Sequence, residues 1–259
     1  MLVLLDPAAH PVIGHRGARA RAPENTLPSF ALAANAGVDA IELDLHLSRD
    51  GVPVVMHDPT LDRTTDARGP IGERTAGELA RVDAGWAYTA DGGRSFPFRG
   101  QGIGVPTLDE VIGAHPTLPM ILEIKALEAA LVVLRLIERA GAAGRVLIGS
   151  FIDEALVPFA SAGIPVSAPP RALARLYLPA LVGVHPSFFP FDAMCIPRYH
   201  RGLPLPIRGF ARVMHRLGHP THIWTVNDAR LARSLWQRGV QGIISDDPAT
   251  ILAERRRAA

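Results

Sequence analysis

Ala40-Ile41-Glu42-Leu43-Asp44-Leu45-His46-Leu47 is followed by Ser48-Arg49-Asp50-Gly51 and then by Val52-Pro53-Val54-Val55-Met56-His57-Asp58. The first eight residues alternate strictly between apolar and polar, the period of a half-buried strand. Asp-Gly between two strand-like runs is a strong hairpin signal. A two-residue loop pairs Arg49 with Val52 and sets His57 opposite Asp44. A four-residue loop pairs Leu47 with Val52 and sets His57 opposite Glu42. This stretch decides the fold because it decides a count. Strand-like runs occur at 11–15, 40–47, 52–57, 119–125, 145–150, 164–168, 181–185, 221–226 and 241–245. With 52–57 as the return arm of a hairpin extending the second strand, eight barrel strands remain.

Helical patterns lie between most of these runs. Residues 26–36 are apolar-periodic, with Asn25 as the expected cap and Gly37 as the stop. Thr75 to Glu78 and Thr107 to Glu110 are capping-box patterns opening short helices. Further helices are expected at 127–140, 207–217 and 228–238, with Asn227 a possible cap of the last of these. The final helix has Pro248 in its first turn and Arg255-Arg256-Arg257 at its end, which suits the helix dipole. Alternating strand and helix means a parallel sheet, and eight units mean an α/β (β/α)8 TIM barrel, typically about 250 residues long. The chain therefore reads as one barrel domain over 1–259. A connection at about 58–118 is too long for an ordinary βα loop and reads as an insertion. A second irregular segment, 186–206, is rich in proline. Both follow strands, so both are expected over the C-terminal mouth, where barrel active sites are built.

Composition narrows the function classes. Hydrophobic residues make up 48% and charged residues 20% of the 259, an ordinary soluble globular balance. The formal net charge is +2, the basic residues are scattered and aromatics are 6%, which argues against a nucleic-acid partner. Cys195 is the one cysteine, so no intrachain disulfide is expected. The apolar run Leu2-Val3-Leu4-Leu5 stops at Asp6, too short for a signal peptide. No apolar run reaches the roughly 18 residues of a membrane span. The expected location is cytoplasmic, with no transmembrane segment.

The polar residues of the strand runs carry the chemistry. Glu42, Asp44 and His46 share one face of 40–47. Adjacent carboxylates repel, so such a face is costly unless water or a cation screens it. Glu123 and Lys125 share a face of Leu122-Glu123-Ile124-Lys125. Among 27 Lys and Arg residues Lys125 is the one lysine, a hint that a compact three-donor ammonium is needed there. Pro11-Val12-Ile13-Gly14-His15-Arg16-Gly17 is a short apolar strand ending in His-Arg between glycines, which let a ligand approach the backbone. Two His at strand ends suggest an acid and a base, three carboxylates a hard cation, and Arg with Lys a phosphate.

These residues resemble the glycerophosphodiester phosphodiesterases. The resemblance rests on Gly14-His15-Arg16-Gly17, Pro23-Glu24-Asn25-Thr26, Glu42-Leu43-Asp44, His57-Asp58 with Leu61-Asp62-Arg63-Thr64-Thr65, Leu122-Glu123-Ile124-Lys125, Trp224-Thr225-Val226-Asn227 and Gly242-Ile243-Ile244-Ser245-Asp246, in that order across nearly the whole chain. It implies a metal-dependent hydrolysis of glycerophosphodiesters to sn-glycerol 3-phosphate and an alcohol. Glu42, Asp44 and Glu123 are then the ligands of Mg²⁺ or Ca²⁺. His15 and His57 are the acid–base pair, either imidazole being able to take either role. Arg16 and Lys125 bind the phosphodiester, and Trp224 either walls the glycerol pocket or packs in the barrel interior. Glu24 accepts hydrogen bonds near the site, and His46 is left outside it. The resemblance also covers members that act on lysophospholipids and leave a lysophosphatidic acid. The mouth segments carry Trp86, Tyr88, Phe96, Phe98, Phe188, Phe189 and Phe191, which either line an acyl-chain site or pack on one another. Two further readings are a lyase of the related phospholipase barrels, forming a cyclic phosphate, and a non-catalytic phosphate-binding relative.

Overall fold

The computed structural model describes residues 1–184 and 189–258. Its strands are β1 (Val12–His15), β2 (Ala40–Leu47), β3 (Pro53–Val55), β4 (Met120–Ile124), β5 (Val146–Ser150), β6 (Met194–Pro197), the short pair β7 (Tyr199–His200) and β8 (Leu203–Pro204), β9 (Thr221–Trp224) and β10 (Gly242–Ser245). Parallel pairing joins them in the order β5-β4-β2-β1-β10-β9-β6. The interval between β5 and β6 is filled by an extended segment, in which Ile148 bridges Val166 and Ser167 bridges Ala193. The ring is thus a TIM barrel of eight staves, seven strands and this segment. Pro165 lacks an N–H, and a stave beginning there keeps only two bridges.

Residue parity divides each stave between two environments. Outward residues such as Val12, Ile41, Leu43, Leu122, Ile148, Ile196 and Ile243 pack beneath the helices in the main core. Inward residues Ile13, Ala40, Ile121, Leu147, Ala193 and Ile244 form a second cluster, closed from below by Leu4. One step further along the same inward rows the side chains become His15, Glu42, Glu123 and Gly149. Apolar filling therefore stops halfway up the barrel, and the polar site begins there.

The helices are α1 (Leu27–Ala36), α2 (Ala76–Leu79), α3 (Leu108–Ala114), α4 (Ala129–Arg139), α5 (Asp153–Ser161), α6 (Pro170–Val182), α7 (Ile207–Arg216), α8 (Ala229–Trp236) and α9 (Pro248–Ala258). Both capping boxes form, at Thr75 with Glu78 and Thr107 with Glu110. Gly37 ends α1 in the left-handed region at φ +86°, a conformation that costs glycine little.

Four sequence expectations are corrected. The run 181–185 is not a strand: Leu181 and Val182 close α6, and Gly183 caps it at φ +75°; His185 lies outside the described residues. Pro170 in the first turn and the Ala/Leu/Arg-rich stretch after it favour helix, and the strand position passes to β6, inside the segment read as irregular. Thr26, not Asn25, caps α1, its hydroxyl accepting from Ser29 N. Asp228, not Asn227, caps α8 through Leu231 N at 2.7 Å. The β2–β3 register pairs Leu45 with Val55 and Leu47 with Pro53, one residue from both expected registers. Ser48 and Val52 are joined by a backbone hydrogen bond of 3.0 Å, which leaves a three-residue loop with Gly51 at φ +75°. That is a favoured geometry for such a loop.

Residues 58–107 pack through Leu61, Ile71, Leu79, Val82, Ala84 and Val105 in an apolar cluster shared with Val54 and Met56 of the hairpin arm that precedes them. The long connection is thereby held as a firm shoulder beside the barrel mouth.

Candidate active site

The turn after β1 places the first site residues. Arg16 adopts φ +53° and Gly17 φ +85°. A Cβ on Gly17 would lie 2.4 Å from Ser29 Oγ, so the chain can press against α1 only with glycine there. Gly14 is equally constrained, its hypothetical Cβ being 2.6 Å from the Gly17 carbonyl oxygen. These glycines serve chain-on-chain packing, not the approach of a ligand. Arg16 is held in its left-handed conformation by its N–H donating to Glu42 Oε2 at 2.9 Å and by Ser29 Oγ donating to its carbonyl.

Glu42, Asp44 and Glu123 converge, with one oxygen from each lying within 4.8 Å of the others. Asp44 is 1% exposed. Asn25 Nδ2 donates to its Oδ2 at 2.8 Å, which is why Asn25 is spent here and not as a cap. Arg16 Nε approaches the same oxygen to 3.1 Å, but off the hydrogen-bond direction. Lys125 Nζ lies 2.6 Å from Glu123 Oε1 and 2.9 Å from Asp44 Oδ1. The Asp44 Oδ1 contact is also Coulombic, leaving that buried oxygen without a hydrogen bond. Burial, then the Asp44 and Glu123 charges, push the Glu42 carboxyl well above its usual range. Burial also raises Glu123, against the pull of Lys125. Burial opposes ionisation of Asp44 too, yet Lys125 and Arg16 hold it low. Three oxygen donors of one sign around an unsatisfied buried oxygen fit a hard divalent cation.

Both imidazoles face this cluster and are oriented in the same way. His15 Nδ1 lies 2.6 Å from Asp246 Oδ1, and His57 Nδ1 lies 2.6 Å from Asp58 Oδ1. Ionised carboxylates only accept, so each Nδ1 carries its proton and each Nε2 is left free. His15 Nε2 stands 4.0 Å from Glu42 Oε2. The two carboxylates are joined through Glu24. Arg63 donates to Asp58 at 2.6 Å and to Glu24 at 2.7 Å, Arg16 donates to Glu24 at 2.7 Å, and Arg19 spans Glu24 at 3.3 Å and Asp246 at 3.7 Å. The Arg63 hydrogen bond holds the Asp58 carboxyl at about 2. Burial works against ionised Glu24, but Arg63, Arg16 and Arg19 bring it to about 2. Burial likewise opposes ionised Asp246, and the His15 and Asn227 hydrogen bonds outweigh it.

Sequence reading named the two His and missed their orienting partners. Asp58 was legible as the residue beside His57. Asp246 is 231 positions from His15, and nothing local links them. Asn227 reads as a cap and is instead a clamp: Nδ2 donates to Asp246 Oδ2 at 2.9 Å, while Oδ1 accepts from Asp246 N at 2.8 Å. His46 stays outside the cluster, its Nε2 donating to the His57 carbonyl at 3.1 Å, which fixes the backbone of that residue.

His15, Arg16, Glu42, His57, Glu123, Lys125 and Trp224 all line one cavity of about 620 Å³. Asp44 lies behind them. The opposite wall is apolar, built from Phe151, Leu173, Tyr177, Leu205 and Phe210. Trp224 stands edge-on to Phe151 at 6.3 Å. The mouth aromatics singled out from sequence that lie among the described residues do not line this cavity. Trp86 and Phe96 sandwich Arg99 at 4.1 and 3.8 Å, Tyr88 packs on Phe98 at 5.1 Å, and Phe189 packs on Phe191 at 5.2 Å. Phe188 lies outside the described residues.

Comparison with known proteins adds independent findings. The model of the glycerophosphoryl diester phosphodiesterase family matches residues 15–161. A glycerophosphodiester phosphodiesterase of Caldanaerobacter subterraneus is 33% identical over 252 residues, covering 93% of this chain and 96% of that protein. A Mycobacterium tuberculosis protein is 34% identical over 143 residues, 54% of this chain and 48% of its own length, so the match spans about half of that relative. Among solved structures, a phosphodiesterase of Oleispira antarctica in complex with the product sn-glycerol-3-phosphate superposes with a TM-score of 0.76 at 27% identity, over 95% of this chain and 96% of that one. The glycerophosphoryl diester phosphodiesterase domain of a Mycobacterium tuberculosis protein superposes at 0.85, with 23% identity over 96% of this chain and 99% of that domain, a likeness of fold.

Proposed function

The chain belongs to the glycerophosphoryl diester phosphodiesterase family, and on that premise we propose that it hydrolyses a glycerophosphodiester to sn-glycerol 3-phosphate and an alcohol. The observation that carries the reading is the matched pair of imidazoles, each with a carboxylate on Nδ1 and a free Nε2 beside one cavity. One Nε2 takes a proton from the attacking water as its oxygen bonds to phosphorus. The other, protonated, delivers a proton to the departing alkoxide, which is a poor leaving group without it. Microscopic balance then leaves the first imidazole protonated and the second neutral, and exchange with solvent restores both. Asp58 and Asp246 stabilise whichever ring carries the extra charge. Arg16 and Lys125 offset charge on the phosphate oxygens. Glu42, Asp44 and Glu123 are the residues that would hold Mg²⁺ or Ca²⁺, whose charge would stabilise the phosphate oxygens as negative charge builds on them. Trp224 closes the pocket against the glycerol moiety.

The test is leaving-group dependence. His15→Ala and His57→Ala should each lower kcat about 10²-fold or more, and a nitrophenyl ester should rescue the variant that lacks the acid. Wild-type rates in both variants would overturn the pair. Phosphorus NMR of the product distinguishes hydrolysis from formation of a cyclic phosphate.

A second substrate reading has one observation in its favour. The wall facing the phosphate-binding residues is apolar over a cavity of about 620 Å³, more room than a glycerol head group occupies. A lysophospholipid would lay its acyl chain there and be cleaved to a lysophosphatidic acid. Comparing turnover of glycerophosphocholine and lysophosphatidylcholine decides between the two.

A further inference from the structure

Charge along this chain is unevenly divided. The net charge of the whole is +2, yet residues 155–227 contain seven arginines and a single carboxylate, Asp192. Asp192 is turned to structural use, its Oδ2 accepting from Val166 N at 2.8 Å. This stretch builds α6 and the β7–β8 hairpin, both of which contribute residues to the wall of the active-site cavity. Tyr177 and Leu178 from the helix and His200 and Leu203 from the hairpin line the same opening.

The outer face of α6 is unusual for a helix turned to water. Arg175, Leu178, Leu181 and Val182 follow the i, i+3, i+6, i+7 spacing of a single stripe. Leu178 is 70% exposed, Leu181 57% and Val182 72%. The hairpin repeats the composition on a smaller scale. Leu203 is 69% and Tyr199 53% exposed, with Arg201 at the tip between them. Arg198 lies 5.3 Å over the Tyr199 ring. Among the described residues no carboxylate pairs with Arg175, Arg198 or Arg201. Large exposed apolar side chains interleaved with unpaired arginines match one kind of partner. Bilayers offer an apolar interior beneath an anionic surface. A protein partner would have to supply both a hydrophobic groove and a cluster of acids around it.

We infer that the α6 face and the β7–β8 tip form a docking surface for an anionic phospholipid bilayer, seating the cavity mouth against the lipid. No described helix is long and apolar enough to cross a membrane, and this surface lies on the bilayer instead. Leu178, Leu181, Val182 and Leu203 enter the acyl boundary, while Arg175, Arg198 and Arg201 meet lipid phosphates. Docking holds whichever substrate the enzyme prefers, since it needs no turnover.

Flotation of the full chain with vesicles tests it. One set is phosphatidylcholine alone, and in the other a third of the lipid is phosphatidylglycerol. Binding should favour the anionic set and weaken as salt is raised. Arg175→Glu with Arg201→Glu should weaken it roughly 25-fold or more, each arginine near an anionic surface contributing about fivefold. Leu178→Asp with Leu181→Asp should weaken it by about 10-fold or more through lost apolar burial. All four sites are exposed, and thermal melts report whether each variant remains folded. Equal binding of variants and wild type, or no binding to the anionic vesicles, overturns the inference. So does a dimer in light scattering that Leu178→Asp dissolves, because the face would then be covered by a second copy.

Discussion

Asp246→Asn removes one charge and almost no volume, and the structure says which way the new amide must point. Asn227 is locked, because its Oδ1 already accepts from Asp246 N at 2.8 Å and from Ser245 Oγ at 3.0 Å. Its Nδ2 therefore remains a donor towards the position of Oδ2, 2.9 Å away. The amide oxygen of the variant must occupy that position, and its NH₂ must face His15 Nδ1. A donor now meets a donor. The imidazole responds by moving its proton to Nε2, so the free lone pair leaves the cavity. The variant also loses a charge-assisted hydrogen bond, worth about 1.5–3 kcal/mol. With the imidazole in the wrong tautomer, kcat should fall by about 10²-fold or more, at least ~2.7 kcal/mol of barrier, with little change in KM. Steady-state kinetics read the rate, and ¹⁵N NMR of the imidazole reads the tautomer. Asn227→Ala in the Asp246→Asn background frees the amide to rotate and should return part of the lost rate. A single variant with wild-type kcat and an unprotonated Nε2 would refute the reasoning.

Lys125→Arg keeps the charge but replaces a compact ammonium, 2.6 Å from Glu123 and 2.9 Å from Asp44, with a longer planar fork. A misplacement near 1 Å costs about 10²-fold, so kcat/KM should fall on that scale while the melting temperature stays nearly constant; unchanged kinetics would make the lone lysine incidental. Calorimetric titration with Mg²⁺ or Ca²⁺ should show one site, and Glu42→Gln should weaken it at least ~10-fold, because even outer-shell changes cost about 10–100-fold; an unaltered isotherm would remove Glu42 from the ligand set. His222 is fully buried, with Nε2 donating to the Leu4 carbonyl at 2.8 Å and Nδ1 unpartnered, and burial lowers it to about 4. Its folded pKa lies below the unfolded value of about 6.5, so the unfolded chain binds the extra proton and stability falls as pH drops from 6.5 towards 4. Urea unfolding should find the protein about 2 kcal/mol less stable at pH 5 than at pH 8 from this group, and His222→Gln should flatten that slope; equal slopes would exclude it.

Local sequence reached far because strand parity is a local property. The alternation in 40–47 fixes that Glu42 and Asp44 share a face, and a two-residue spacing does the same for Glu123 and Lys125. Those side chains then stand on neighbouring staves, since β2 pairs with β4 at Asp44 and Glu123. The carboxylate cluster, both imidazoles and the cations were therefore legible from pattern, as was the barrel that carries them. The identity of one stave was not. An apolar run at 181–185 looks like a strand, but its first two residues, Leu181 and Val182, end the helix that starts at Pro170 and packs through Leu176 and Ala180, and the strand lies at 194–197. Hairpin register was equally unreadable, because a one-residue change of loop length is nearly neutral locally and is settled by which side chains the barrel buries. What tertiary structure alone decided is the set of contacts between residues far apart in sequence. Asp246 on His15, Glu24 between Arg16 and Arg63, and Asn25 on Asp44 each satisfy a buried charge, and such a charge takes its partner from whatever the fold brings within about 3 Å, not from its neighbours along the chain.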